Sequence, residues 1–339
     1  MSSWSADTFE SLFAPTSIAS VEVRNRWVMA PMTRKFSPGG IATAEVASYY
    51  ARRAGGGVGL IISEGTYVPH PAAAEHPDVP RLDGDEALAG WRLATDAVHD
   101  AGGRIFAQLW HAGALRGDRP SIHPAVASVS PSGVDVGLQP VGRAMTAADI
   151  DEARVAYVQG ALNARSAGFD GVEIHGAHGY LPDLFFWDRT NQRTDAYGGS
   201  LEARSRFAAE VVAAIRAAVG PHYPIAFRFS QWKVFQYTAR IAQSPAELET
   251  ILRSLAEAGA DLLDVSTRRH WLPAFPELSG SDGQRSLAGW AKQVSGLPVI
   301  TVGSIGLDND FTIGAEYKDL STGTDLARLA AQLEHEDPD

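Results

Sequence analysis

The sequence contains no cysteine. Disulfides and cysteine-ligated iron–sulfur clusters are therefore excluded, and a zinc site would have to be built from histidine and carboxylate alone. No apolar run reaches the roughly 20 residues that span a bilayer. The first residues, Met1 to Ser20, hold Asp7 and Glu10 and no basic residue ahead of an apolar core, which is unlike a secretory leader. Positive charge is short as well: 29 Lys and Arg stand against 40 Asp and Glu, a formal net charge of −11. That balance argues against nucleic acid and anionic membrane surfaces as partners, and a soluble cytoplasmic protein is expected. A dinucleotide fingerprint is also missing, because Gly55-Gly56-Gly57 precedes a strand-like run instead of following one.

What is present is alternation. Strand-like runs at 26–33, 58–66, 104–113, 170–179, 224–230, 261–266 and 298–306 are separated by helix-like runs at 43–54, 86–101, 146–167, 201–219, 244–258 and 285–295, with a last helix at 320–333. This predicts a parallel sheet with crossover helices. Thr43 and Ser244 stand as N-caps, and Pro245 takes the first helical position of its segment. A hairpin is expected at 13–23, and the stretch 120–140, rich in Pro, Ser and Gly, is a long loop of the kind that is usually functional or mobile. The fold class is α/β, a TIM (β/α)8-type barrel in one domain over 1–339. Seven strands are counted where closure needs eight, and an open barrel leaves an unpaired edge. The eighth strand is thus missing from the sequence: the chain is a shortened barrel, or another element or chain fills the gap.

Side-chain chemistry gathers in Val172-Glu173-Ile174-His175-Gly176-Ala177-His178-Gly179-Tyr180-Leu181. In α/β barrels catalytic groups stand at the C-terminal ends of strands and in the loops beyond them. On an ideal strand His175 and His178 would face opposite ways. Gly176 and Gly179 can bend the chain and bring the rings together. Two imidazoles and the Tyr180 phenol could then hold a ligand oxygen and supply a proton. The alternatives are a zinc pair, for which no third ligand is evident, or two surface histidines.

The run from Gly168 to Phe207 resembles the old yellow enzyme family of flavin-dependent ene-reductases. The likeness is carried by His175-Gly176-Ala177-His178-Gly179-Tyr180-Leu181, by Trp187-Asp188-Arg189-Thr190-Asn191-Gln192-Arg193-Thr194-Asp195, by Tyr197-Gly198-Gly199-Ser200-Leu201-Glu202 and by Arg204-Ser205-Arg206-Phe207. It extends over 9–333. The resemblance implies non-covalent FMN, NADPH or NADH as reductant, and a small α,β-unsaturated carbonyl or nitro compound as substrate. It implies that His175 and His178 bind the activating oxygen and that Tyr180 gives the proton that follows hydride from flavin N5. Pro31, Met32 and Thr33 would lie along the flavin, with Gly65 close to it. Gln108 would read the pyrimidine edge, since an amide both donates and accepts. Arg228 would stabilise the reduced ring near N1 and O2, or form a buried ion pair with a barrel carboxylate. Gly303 and Ser304 would offer backbone N–H groups to the phosphate. The family's Gly-Arg half of that clamp, which follows its eighth strand, is not found. Trp110 would shape substrate orientation or serve as a core aromatic, and Trp271 sits in a segment resembling the loop over the flavin's dimethyl end. Glu64 and His111, at strand exits, suit structure or catalysis equally. Two other outcomes are an oxidase or isomerase on the same site, and an impaired barrel with weak FMN binding.

Overall fold

The structure, a computed structural model, describes residues 9–117 and 123–305. The expected last helix and the question of an eighth strand lie outside these residues.

A short helix, α1 (Glu10–Phe13), leads into the expected hairpin, β1 (Thr16–Ile18) paired antiparallel with β2 (Val21–Val23). Ile18 and Val23 turn inward and pack with Leu60, Phe106, Ala226 and Leu262. Those four stand at or near the beginnings of barrel strands, so the hairpin seals the N-terminal end of the barrel. The chain continues through β3 (Val28–Met29), α2 (Ala44–Gly55), β4 (Leu60–Ile62), β5 (Thr66–Tyr67), α3 (Asp85–Asp100) and β6 (Arg104–Trp110). A small pair, β7 (Val129–Ser130) and β8 (Arg143–Ala144), precedes α4 (Ala147–Ser166). Then come β9 (Gly171–His175), α5 (Leu181–Phe186), α6 (Leu201–Val219), β10 (Ile225–Phe229), α7 (Pro245–Glu257), β11 (Leu262–Ser266), α8 (Leu287–Ser295) and β12 (Val299–Val302).

The main sheet runs β12-β11-β10-β9-β6-β4-β3, all parallel, with β5 continuing beside β6. This is a nearly closed α/β barrel, as the alternation predicts. Every residue of β9, β10 and β11 is buried. A parallel strand covered by helices on one side and barrel interior on the other must be apolar nearly throughout, so the few polar residues in these strands stand out as candidates for function. Helix starts follow capping chemistry: the Thr146 hydroxyl and the Asp149 carboxylate exchange hydrogen bonds with each other's backbone N–H, and Ser200, Ser244 and Ser286 each accept from the third residue of their helices. Thr43 occupies the cap position of α2 without such a bond.

Two segments differ from expectation. The first strand was expected over 26–33, yet only Val28 and Met29 pair. Pro31 has no N–H to give to a ladder. The stretch between the strand-like run at 170–179 and the helix at 201–219, for which no element is expected, opens with α5, whose six residues are all buried. A fully buried helix of this length shows no amphipathic period to read. No helix among the described residues is long and apolar enough to cross a membrane.

Candidate active site

The site is built on the turn that leaves β9. Gly176 donates its N–H to the Arg228 carbonyl at 2.9 Å, and a Cβ there would stand 2.2 Å from Phe227 Cζ. Glycine is needed for this approach, not for a bend. The bend is made by His178 itself, at φ 65°, together with Gly179 at φ 92°. A non-glycine residue in the left-handed region has to be held there. His178 N–H donates to Ser230 Oγ at 3.0 Å, and its carbonyl accepts from Val234 N–H at 3.1 Å. Trp232 stacks on the imidazole with centroids 4.2 Å apart. Gly179 N–H donates to Asp183 Oδ2 at 2.7 Å, while Asp183 Oδ1 accepts from Lys233 Nζ at 3.0 Å, both side chains having no solvent exposure. The loop after β10 therefore braces the turn after β9.

The brace brings the expected residues together. Ring centroids lie 5.3 Å apart for His175 and His178, 4.6 Å for His175 and Tyr180, and 5.0 Å for Trp110 and Tyr180. Trp110 also stacks on Tyr67 at 4.9 Å, so it is both core aromatic and wall of the site. Burial pushes both imidazoles well below the usual histidine range, with Arg228 adding to the effect on His175, and His175, Arg228 and Lys233 adding to it on His178. A neutral imidazole has one N–H to give. His178 Nε2 lies 2.8 Å from Ser266 Oγ, which accepts from Arg228 Nη2 at 3.1 Å. In the tautomer that carries its proton on Nδ1, His178 takes the Ser266 hydroxyl proton at Nε2 and keeps an N–H to offer a ligand. His175 Nδ1 is buried without a protein partner among the described residues, as a ligand-binding atom would be.

Below this cluster lies a second one. Gln108 Nε2 donates to Glu173 Oε1 at 2.8 Å, and its backbone N–H donates to Ser63 Oγ at 3.1 Å. The amide oxygen is then the end Gln108 can offer a ligand. A Cβ on Gly65 would stand 3.3 Å from that oxygen and 2.6 Å from Trp110 Cε3, so the small residue makes room for Trp110. Arg228 forms the buried ion pair left open as an alternative, Nη1 donating to Asp264 Oδ2 at 2.7 Å. Glu173 and Asp264 went unremarked in the sequence. Their signal was a carboxylate inside each of two otherwise apolar strands.

The remaining residues frame the mouth. Met32 and Thr33 are exposed at the exit of β3. Their segment is held by buried Glu64, which accepts from Arg34 N–H and Nε, each at 3.1 Å, and pairs with the rest of that guanidinium. Glu64 is thus a brace. His111 is fully buried, its Nε2 3.0 Å from His70 Nδ1, and burial pushes it well below the usual range. Gly303, at φ 145°, passes so close to Thr267 that a Cβ would meet its Oγ1 at 2.5 Å. Ser304 Oγ donates to the Arg268 carbonyl at 2.9 Å, and His270 N–H donates to the Gly303 carbonyl at 3.0 Å. Trp271 sits edge-on to His270 at 5.1 Å on this tied segment. Among the described residues no group of three or more His, Asp or Glu is placed to hold a metal.

Comparison with known proteins adds an independent line. Residues 11–321 match the family model of the NADH:flavin oxidoreductase / NADH oxidase family. The chain is 40% identical over 304 residues to an NADH oxidase of Thermoanaerobacter brockii, covering 88% of this chain and 46% of that protein. It is 42% identical over 222 residues to 12-oxophytodienoate reductase 7 of Oryza sativa subsp. japonica, covering 62% and 56%. The chain spans about half the length of these curated relatives. Among solved structures, morphinone reductase in complex with tetrahydroNAD superposes with a TM-score of 0.76 at 29% identity, covering 96% of this chain and 84% of that one. An old yellow enzyme homologue from Zymomonas mobilis gives 0.74 at 31% identity, covering 94% and 86%.

Proposed function

The chain belongs to the NADH:flavin oxidoreductase / NADH oxidase family, and from that premise we propose that it is a single-domain, FMN-dependent ene-reductase acting on small alkenes activated by a carbonyl or nitro group. The observation that carries this reading is the convergence of His175, His178 and Tyr180 above Gln108 and Arg228 at one end of the barrel. The residues fit a flavin: an available amide oxygen on Gln108, a fixed guanidinium, and a backbone pass at Gly303 that a side chain would block. Bound FMN, reduced by NADPH or NADH, would supply hydride from N5; the protein positions and tunes it.

Gln108 presents its oxygen to the N–H of the pyrimidine edge, and Arg228 faces the edge where negative charge collects on reduction. Pro31, Met32 and Thr33 would lie along the ring, Gly65 would stand close to it while making room for Trp110, and the backbone of Gly303 and Ser304 would receive the phosphate. His175 and His178 each give one N–H to the substrate oxygen. Being neutral, they stabilise a developing enolate or nitronate as aligned dipoles. Tyr180 delivers its phenolic proton to the α-carbon. Trp110 and Trp271 limit how the alkene lies. A second reading, oxidation of NADH with dioxygen as acceptor, draws on the NADH oxidase among the similar proteins.

Replacing Tyr180 with Phe tests the acid. Reduction of the bound flavin by NADPH or NADH should be unchanged, while its reoxidation by 2-cyclohexenone slows by about 10²–10⁴-fold. Reoxidation at the wild-type rate would remove Tyr180 from the role.

A further inference from the structure

The described residues contain several buried polar groups that the proposed reaction does not use, and the most unusual lie at the barrel axis beneath the ring-binding residues. Glu173 and Asp264 are both fully buried. They come from β9 and β11, alternate strands whose inward side chains share a layer in barrels of this type. Each carboxyl group has one oxygen with a donor: Glu173 Oε1 receives Gln108 Nε2 at 2.8 Å, and Asp264 Oδ2 receives Arg228 Nη1 at 2.7 Å. The other two oxygens, Glu173 Oε2 and Asp264 Oδ1, have no protein donor among the described residues. Yet the two carboxyl groups lie within hydrogen-bonding reach of each other. Two ionised carboxylates facing one another in a dry interior would leave two acceptors unsatisfied and place like charges in contact. One proton between them removes both penalties.

We propose that Glu173 is a protonated positioning residue whose carboxyl O–H donates to Asp264 Oδ1, so that the cluster Glu173, Asp264 and Arg228 carries no net charge and Gln108 is locked with its amide oxygen outward. The proton belongs on Glu173 because Asp264 already holds a charged donor, Arg228, whereas Glu173 has only a neutral amide. The neighbouring charges agree with this placement. Burial and the Asp264 carboxylate push Glu173 well above the usual carboxyl range, while Arg228 and the Gln108 amide act against them. Arg228 comes from β10, Asp264 from β11 and Gln108 from β6, and His175, two residues along β9, is itself neutral. The orientation of Gln108 serves ring recognition only if the proposed flavin site is right. The proton itself does not depend on that reading.

A glutamine at 173 would reproduce the arrangement: its oxygen accepts from Gln108 and its amide N–H replaces the O–H toward Asp264. The test compares Glu173→Gln with Glu173→Ala in the purified protein, with and without added FMN. The infrared difference spectrum between wild type and Glu173→Gln at neutral pH should contain a protonated-carboxyl stretch. Glu173→Gln should melt within about 2 °C of wild type, whereas Glu173→Ala, which strands two buried polar groups, should melt at least about 5 °C lower. Because the folded group binds its proton more tightly than the unfolded one, wild-type stability should fall as pH rises above the unfolded glutamate range, and Glu173→Gln should lose that part of the slope. A difference spectrum without the carboxyl band, or a glutamine variant as unstable as the alanine one, would overturn the proposal. Either result reads the same whether or not flavin binds, so failure here is separable from failure of the ene-reductase reading.

Discussion

The barrel has two unequal sides. On one, β9, β10 and β11 are five residues long and wholly buried, and the loops beyond them interlock through Ser230, Trp232, Lys233 and Asp183. On the other, β3 is two residues long and β12 four, all half-buried, and each has one ladder neighbour among the described residues. His175, His178 and Tyr180, the proposed substrate-binding and proton-donating residues, stand on the first side, whereas the proposed phosphate contact, Gly303 and Ser304, stands at the exit of β12. Proton and oxyanion chemistry needs rings held within a fraction of an ångström, and the dense side supplies that. Backbone N–H groups that receive a phosphate need only a fixed chain path, which Thr267, Arg268 and His270 provide by close contact.

The largest expected effect that would break this contrast lies in the buried pair. Lys233→Ala leaves Asp183 as an uncompensated charge in a dry interior, and it should cost about 3–5 kcal/mol in denaturant unfolding. Reoxidation of the bound flavin by 2-cyclohexenone should slow with it, since Asp183 also fixes the turn that carries His178. A loss below about 1 kcal/mol would mean that the loops interlock loosely. A finer comparison uses the same deletion on both sides. Ile174→Val, in fully buried β9, should cost about 0.5–1.5 kcal/mol, and Ile300→Val, in half-buried β12, less than that. Equal losses by chemical denaturation would erase the distinction.

Much of the barrel is legible in the chain because alternation of strand and helix depends on local pattern. The helix at 201–219 is found at its expected bounds, and Ser244 caps α7 with Pro245 at its first position. The cluster of His175, His178 and Tyr180 is legible for the same reason, being carried by one short turn. What escaped depends on partners far along the chain. Ser266 meets His178 across 88 residues, and Lys233 meets Asp183 across 50. No period in the sequence announces such pairs, although a lone aspartate within Leu181-Pro182-Asp183-Leu184-Phe185-Phe186 signals that a partner is required. The role expected of Gly176 was also local, a bend, while its actual necessity comes from Phe227 on the neighbouring strand.

The central claim is that this barrel holds FMN and passes its electrons to an activated alkene. The most direct test is a visible absorption spectrum of the purified protein, followed by anaerobic addition of NADPH or NADH and then of 2-cyclohexenone. The account predicts a yellow protein that bleaches with the nicotinamide and regains its colour with the enone. A colourless protein that added FMN does not turn yellow, or a bleached one that the enone leaves unchanged, would contradict it.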